Sequence, residues 1–211
     1  MYAQPSLAGS LFRIANFCDP IVVNEKLLES GRYNDLVDFF FGKKLHRDAL
    51  ELLKKFGQAQ EESEVAPQLR GPGRTVAYLQ NLPPEMIDLI LEFAEWPLRQ
   101  DPELGMEVFL ADTENAETLP RDKVLNFLEN IDLKFAIRYL EHIIPELNDS
   151  TPNFHQRLIS LYLDRLKSGD FKNAEEQTEW RETFLDFLRE SRSYSAGKVL
   201  GLLPRGDKPL H

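Results

Sequence analysis

Residues 33–56 decide the fold, and they read YNDLVDFFFGKKLHRDALELLKKF. An aromatic-rich apolar run comes first, and the turn Gly42-Lys43-Lys44 separates it from a second run in which apolar side chains recur three and four residues apart. This spacing places one apolar stripe on a single helix face, at Leu45, Ala49, Leu53 and Phe56. Because the connection is so short, the two segments predict a pair of antiparallel helices, a helical hairpin.

Helical spacing recurs along nearly the whole chain. Further apolar stripes are predicted at Val124, Leu125 and Leu128, at Ala136, Leu140, Ile143, Ile144 and Leu147, at Phe154, Leu158, Leu161 and Tyr162, and at Trp180, Phe184, Phe187 and Leu188. Prolines of the kind found in first helical turns precede three runs, at Pro84, Pro120 and Pro152. Glycines fall where helices should end, at Gly31, Gly42, Gly57 and Gly169. Ser150 and Thr151 are predicted N-caps for a helix over about 153–167.

These patterns predict an all-α fold. The one β-branched run, Ile21-Val22-Val23, is too short to build a sheet, and residues 86–96 are apolar nearly all round, which predicts burial between neighbouring helices. We predict an α-solenoid of stacked antiparallel helix hairpins, similar to tetratricopeptide or clathrin-heavy-chain repeats, with a compact bundle as the alternative. Residues 1–211 are expected to form one continuous segment of a longer protein, with a flexible joint at 58–73.

Composition narrows the functional class. The 211 residues are 42% hydrophobic and 28% charged, with a formal net charge of −10, which argues against a nucleic-acid binder. The single cysteine, Cys18, forms no internal disulfide, and no secretory leader or apolar run of about 20 residues is present, so we expect a cytoplasmic protein. Residues 58–131 carry 15 acidic and five basic side chains, and the excess negative charge lies there.

Two charged surfaces are candidates for partner binding. A basic tip is expected at the first hairpin turn, formed by Lys43, Lys44 and Arg47. Acidic loops are expected before and after the third helical region, at Glu61, Glu62 and Glu64 and at Asp112, Glu114 and Glu117. Solvated surfaces are the favoured interpretation of both, and the functional alternatives are a basic partner for the acidic loops and an acidic protein or anionic lipid for the tip.

Catalytic and metal chemistry find no support in the sequence. The four histidines lack the spacing of a zinc site, and no nucleophile motif surrounds Cys18. The glycine-rich stretch RGPGR at 70–74 lacks the Gly-Lys-Ser/Thr ending of a phosphate loop and indicates an interhelical turn. We therefore expect no enzyme activity, no metal and no cofactor.

Several short blocks carry a family resemblance. They are KLHRDAL at 44–50, RTVAYLQ at 74–80, LPRDKVLNFL at 119–128, YLEHII at 139–144, and FH at 154–155 followed by LISLY at 158–162. In this order they resemble the central region of the vacuolar protein sorting protein 39 family, with similarity over about residues 31–203.

The resemblance implies a subunit of the HOPS tethering complex, which bridges late endosomes or autophagosomes to the vacuole or lysosome before membrane fusion. It implies a peripheral association with those membranes. The implied partners are the other tether subunits, including the RING-bearing core subunit, and a late-endosomal Rab GTPase, bound mostly through other parts of the longer protein. The alternatives are a Rab guanine-nucleotide-exchange or Rab-binding module, and a peripheral membrane-binding module that uses the basic residues between 43 and 55.

Overall fold

The computed structural model describes residues 33–59 and 69–191, and within these ranges the regular structure is helical without any β-strand. The chain divides into two compact units, Met1–Ala111 and Asp112–His211. In the first unit the α-helices are α1 Tyr33–Gly42, α2 His46–Gly57, α3 Gly73–Gln80, α4 Ile87–Gln100 and α5 Pro102–Leu110, with a 3₁₀ turn at Pro84–Met86. In the second they are α6 Glu114–Glu117, α7 Arg121–Ile131, α8 Leu133–Ile143, α9 Pro152–Ser168 and α10 Ala174–Glu190. The predicted all-α class is confirmed.

The core of the first unit follows the predicted stripes. Helices α1 to α5 each pack on the next helix in sequence, and α5 also packs on α3. Ala49 and Leu50 of α2 are completely buried, as are Leu36 and Phe39 of α1 across the hairpin. A close helix approach occurs at Gly105 of α5, which lies directly against the Leu98 backbone of α4. This contact requires the absence of a side chain at position 105.

The second unit is built in the same way from α7 to α10. Neighbouring helices pack in order along the chain, α7 on α8, α8 on α9 and α9 on α10. The predicted stripes of the first three are buried, with Leu128, Leu140 and Leu158 completely shielded from solvent, except that Leu147 lies beyond the end of α8 and is half-buried. Helix α10 differs, because Phe184 is its one buried residue among those described, and Trp180, Phe187 and Leu188 remain half-buried.

Most of the glycines that were predicted to end helices lie at helix ends in the structure. Helix α1 ends at Gly42, α2 at Gly57, and Gly169 closes α9 in the left-handed conformation with φ of 67°. In the first hairpin, however, the left-handed residue is Lys44, with φ of 59°. Gly31 lies outside the described residues.

One prediction about the individual helices is confirmed in position only, and another is wrong. Thr151 occupies the N-cap position of α9, but its side chain makes no capping hydrogen bond; instead its amide donates to the Asp149 carboxylate at 2.8 Å. Residues 86–96 are not apolar on every side, because α4 exposes a charged stripe one or two turns apart, at Asp88, Glu92, Glu95 and Arg99. Helix α4 also runs through Pro97 to Gln100.

The predicted joint over 58–73 falls within the first unit, and its residues 60–68 lie outside the described residues. At its far end the glycine-rich stretch forms the interhelical turn that was expected. The Gly71 amide donates to the Gly57 carbonyl at 2.8 Å, and Gly71 itself is left-handed with φ of 78°. This bond holds the start of α3 against the end of α2. The continuous solenoid over 1–211 and the flexibility of the joint stay predictions.

Candidate functional site

The basic tip predicted at the first hairpin forms where α1 turns into α2. The amides of Lys43, Lys44 and Leu45 donate back to carbonyls of α1 at 2.8 to 3.0 Å, which closes the turn tightly. The Lys43 ammonium lies 5.9 Å from the centre of the Phe39 ring, and Lys44 is exposed. The structure therefore brings both lysines to one end of the hairpin, next to the first turn of α2.

Arg47 reaches from α2 to α4, although 54% of its side chain stays exposed. Its two terminal guanidinium nitrogens donate to the two carboxylate oxygens of Glu92 at 2.6 and 2.8 Å, and the guanidinium lies 5.8 Å from the Phe93 ring centre. The hydrogen bonds from Arg47 lower the pKa of Glu92. A bidentate pair of this kind matches the two charges to each other. The basic tip is therefore smaller than the sequence predicts, because the charge of Arg47 is offset within the chain.

A buried aromatic cluster lies directly behind the tip, and no pattern in the sequence predicts it. His46 is buried, and its Nδ1 is 2.7 Å from the Tyr78 hydroxyl of α3. The Phe41 ring meets both rings edge-on, at centre distances of 5.2 and 5.5 Å, while 36% of Phe41 stays exposed. Burial and the nearby Lys44 charge lower the pKa of His46, and burial raises the pKa of Tyr78. His46 and Tyr78 are 32 residues apart, so no local pattern signals their contact.

A cavity of about 450 Å³ opens beside this cluster. It is bounded by α1, α2 and α3, with Phe41 and Tyr78 among the lining residues and the charged groups Asp38 and Arg74 on its wall. The cavity is thus mostly aromatic and aliphatic with one charge of each sign.

The acidic loop predicted at 112–117 opens the second unit. Asp112 and Glu114 are exposed and Glu117 is half-buried. Thr113 caps the short helix α6 by accepting from the Ala116 amide at 3.2 Å. Glu114 and Glu117 therefore lie on this one-turn helix, and Asp112 lies just before its cap. The other predicted acidic residues, Glu61, Glu62 and Glu64, lie outside the described residues, so their part in a binding surface stays a prediction.

Asp149 organises the long connection between α8 and α9. Its carboxylate forms an ion pair with Arg121 at the start of α7 and accepts the Thr151 amide, while its carbonyl accepts a hydrogen bond from His155 Nε2 at 2.7 Å. Burial alone would raise the pKa of Asp149, but the hydrogen bonds from Thr151 and Arg121 outweigh burial and lower it. We call this group of contacts, formed by Arg121, Asp149, Thr151 and His155, the Asp149 hub. No sequence motif predicts it, because its members come from separate segments of the chain.

His155 links the same connection to the end of α10. Because a carbonyl can only accept, Nε2 of His155 carries the proton, and Nδ1 accepts from the Ser191 hydroxyl at 2.5 Å. The imidazole stacks on Phe187 at a centre distance of 5.8 Å and is 5% exposed. A cavity of about 330 Å³ lies against this group. The buried His155 ring thus connects the loop between α8 and α9 to the end of α10.

A second polar cluster joins α8, α9 and α10. The Tyr162 hydroxyl donates to the Glu141 carboxylate at 2.5 Å, and Arg165 pairs with Glu176 at 2.9 Å while lying 4.1 Å from the Trp180 ring centre. Burial raises the pKa of Glu141, although Tyr162 and Arg165 oppose that shift. Among the described residues no three His, Cys, Asp or Glu side chains converge as metal ligands would.

Comparison with known proteins gives a consistent result. The model of the family described as vacuolar sorting protein 39 domain 1 matches residues 1–98. Vacuolar morphogenesis protein 6 of Schizosaccharomyces pombe is 35% identical over 100% of this chain, and the vacuolar protein sorting-associated protein 39 homolog of Drosophila melanogaster is 34% identical over 97%. The Vam6/Vps39-like protein of Mus musculus is 32% identical over 95%. The chain belongs to the vacuolar sorting protein 39 family.

The match covers only a part of each relative. The chain spans 24% of the fission yeast and mouse proteins and 23% of the fly protein. The family domain includes α1 to α3 and most of α4, and therefore the basic tip and the aromatic cluster, whereas the acidic loop and the Asp149 hub lie beyond it. No solved structure matches this vacuolar sorting protein 39 family member. Within the described ranges, its helices are too short or too polar to cross a bilayer.

Proposed function

We propose that this chain is a non-catalytic scaffold segment of a HOPS-type membrane-tethering subunit, acting in late endosome to vacuole or lysosome fusion and in protein transport. One observation carries the proposal: in each unit one ion pair joins a helix to the next helix but one. Arg47 of α2 binds Glu92 of α4, and Arg157 of α9 binds Glu129 of α7 at 2.6 Å. One contact of this kind in each unit supports a stack of helix hairpins, in which alternate helices lie side by side.

The mechanism of such a scaffold is mechanical. Within each unit, packed neighbouring helices share buried apolar faces, so the orientation of one helix constrains its neighbour. A stack of this kind sets the distance and angle between parts of a longer protein that bind partners. The role requires no bond-making step and no cofactor.

Family membership supplies the cellular setting of the proposal. The relatives are named for vacuolar sorting and vacuolar morphogenesis, and the longer protein is proposed to bind the other tether subunits, including the RING-bearing core subunit, and a late-endosomal Rab GTPase. We place it in the cytoplasm, peripherally on vacuolar, lysosomal and late-endosomal membranes.

The test separates mechanical transmission from surface binding in the full-length protein. A flexible Gly/Ser insert between Ala111 and Asp112 leaves both compact units intact but uncouples them. A second arm changes only surface charge, with Lys43→Glu and Lys44→Glu in one variant and Asp112→Asn, Glu114→Gln and Glu117→Gln in another. We expect the insert to reduce fusion of isolated vacuoles strongly and the charge variants to retain it. Normal fusion with the insert would overturn the scaffold role.

A second candidate function rests on one observation at the basic tip. Phe41 is exposed beside Lys43 and Lys44, and an exposed aromatic ring with neighbouring lysines suits a peripheral contact with anionic lipid. The Arg47–Glu92 pair weakens this candidate, because the negative charge of Glu92 offsets the charge of Arg47, one of the three predicted cations.

A further inference from the structure

Thr151-Pro152 is the one Ser/Thr-Pro dipeptide in the sequence, and it stands at an accessible place in the second unit. Thr151 ends the connection between α8 and α9, and Ser150, Thr151, Pro152 and Asn153 are all exposed. We propose that Thr151 is a phosphorylation site for a proline-directed Ser/Thr kinase. The inference concerns regulation and stands independently of the scaffold role.

The geometry around Thr151 suits such a kinase. The residue before a proline is held extended, and Thr151 has φ of −62° and ψ of 116°. Its side chain makes no capping hydrogen bond to α9, so the hydroxyl is not committed to the helix. Both the amide and the hydroxyl of Thr151 are hydrogen-bonded to the Asp149 carboxylate, which fixes the backbone, while Thr151 itself remains exposed.

The chemistry is ordinary phosphoryl transfer from a nucleoside triphosphate. The Thr151 Oγ1–phosphorus bond forms as the bond between the γ-phosphorus and its bridging oxygen breaks, and the nucleoside diphosphate leaves. The hydroxyl proton passes to the base of the kinase. The product adds a charge of about −1.5 to −2 at neutral pH.

The new charge would act on the Asp149 hub. Asp149 already binds Arg121 through one oxygen and the Thr151 amide through the other. A phosphate on Thr151 adds a second anion next to this carboxylate, and the two then compete for the Arg121 guanidinium. We expect modification to loosen the bonds of Asp149 to Arg121 and to the Thr151 amide. Helix α9 should persist, because an anion at a helix N-terminus is favourable.

The experiment treats the purified 211-residue chain with ATP and a mitogen-activated protein kinase, and maps phosphate by mass spectrometry. We expect one phosphoryl group on Thr151, which Thr151→Val and Pro152→Ala each abolish and Ser150→Ala retains. The valine variant keeps the β-branched shape but loses the hydroxyl that bonds to Asp149, so we expect a slightly lower melting temperature with the same cooperative transition. Hydrogen exchange at the Thr151 amide should accelerate in the phosphorylated chain and stay unchanged in the mock-treated one.

Two results would overturn the inference. One is absence of phosphate on Thr151 in folded chain that melts normally. The other is equal incorporation in the native and Pro152→Ala chains, which would show that proline does not direct the reaction. A phosphorylated chain in which the Thr151 amide exchanges at the unmodified rate would contradict the proposed effect on Asp149.

Discussion

Gly105 of α5 lies so close to Leu98 of α4 that a Cβ added at position 105 would stand 2.7 Å from both the nitrogen and the Cα of Leu98. The Pro97 carbonyl carbon would be 3.0 Å away. These neighbours are backbone atoms, which cannot rotate aside as a flexible side chain can. The two helices therefore pack backbone to backbone, and the contact depends on glycine at this position.

Gly105→Ala should destabilise the first unit even though alanine favours helices. The propensity gain of about 1 kcal/mol is opposed by overpacking, which typically costs about 1–3 kcal/mol and is severe against backbone. Chemical denaturation of the chain measures the change in the free energy of unfolding. Gly73→Ala is the matched control, because a Cβ there meets Leu104 Cδ2 at an ordinary 3.9 Å. Equal stability of the two variants would contradict the close packing of α4 and α5.

Part of this fold is predictable from local pattern alone. The stripe of α2 and the Gly42-Lys43-Lys44 turn give the first hairpin, because three-and-four spacing and a short connection leave few other arrangements. The close approach at Gly105 is not predictable in this way. A glycine inside a helical pattern is tolerated for several reasons, and only the position of the neighbouring helix shows which one applies.

Leu140→Ala should cost about 2–5 kcal/mol of unfolding free energy, because Leu140 is completely buried and its truncation leaves a cavity. Leu185→Ala on α10 is the control, since 42% of Leu185 is exposed, and we expect a change within about 0.5 kcal/mol. Urea denaturation followed by circular dichroism measures both. A Leu140→Ala cost no larger than that of the control would remove Leu140 from the core.

The candidate site was less predictable than the fold. Charge runs correctly place Lys43 and Lys44 at the hairpin end, but composition cannot reveal that Arg47 pairs with a carboxylate 45 residues away. The Asp149 hub is unpredictable for the same reason, because the Asp149 carboxylate binds Arg121, which lies 28 residues earlier in the chain. Such pairs depend on which helices are neighbours in space, and that information is absent from any one window of sequence.

Glu141→Gln should make stability less sensitive to pH. Burial raises the pKa of Glu141 above its ordinary 4.5, so the folded chain holds this proton more tightly than the unfolded chain does. The resulting stabilisation is complete below pH 4.5 and is lost as pH rises through the folded pKa. Glutamine can still accept from Tyr162, so we expect the variant to gain stability relative to the native chain as pH rises from below 4.5.

Thermal denaturation between pH 4 and pH 7, spanning the ordinary pKa of 4.5, measures this difference. Glu182→Gln on the exposed side of α10 removes the same charge from the surface and serves as the control. A native-minus-variant difference that stays constant over this range, or that matches the Glu182 control, would contradict the burial of an ionisable Glu141.

Glu92→Gln should strengthen any contact between the basic tip and anionic lipid. The substitution releases Arg47 from its bidentate partner and removes a negative charge beside the tip. Co-sedimentation with vesicles of phosphatidylcholine and phosphatidylserine measures binding, which should fall with added salt. Glu95→Gln is the matched control, because Glu95 lies on the same helix, pairs with Arg99 at 2.8 Å, and carries the same charge. Equal binding by the two variants and the native chain would show that Arg47 adds nothing to the tip, and no binding by any of them at low salt would remove the peripheral membrane candidate.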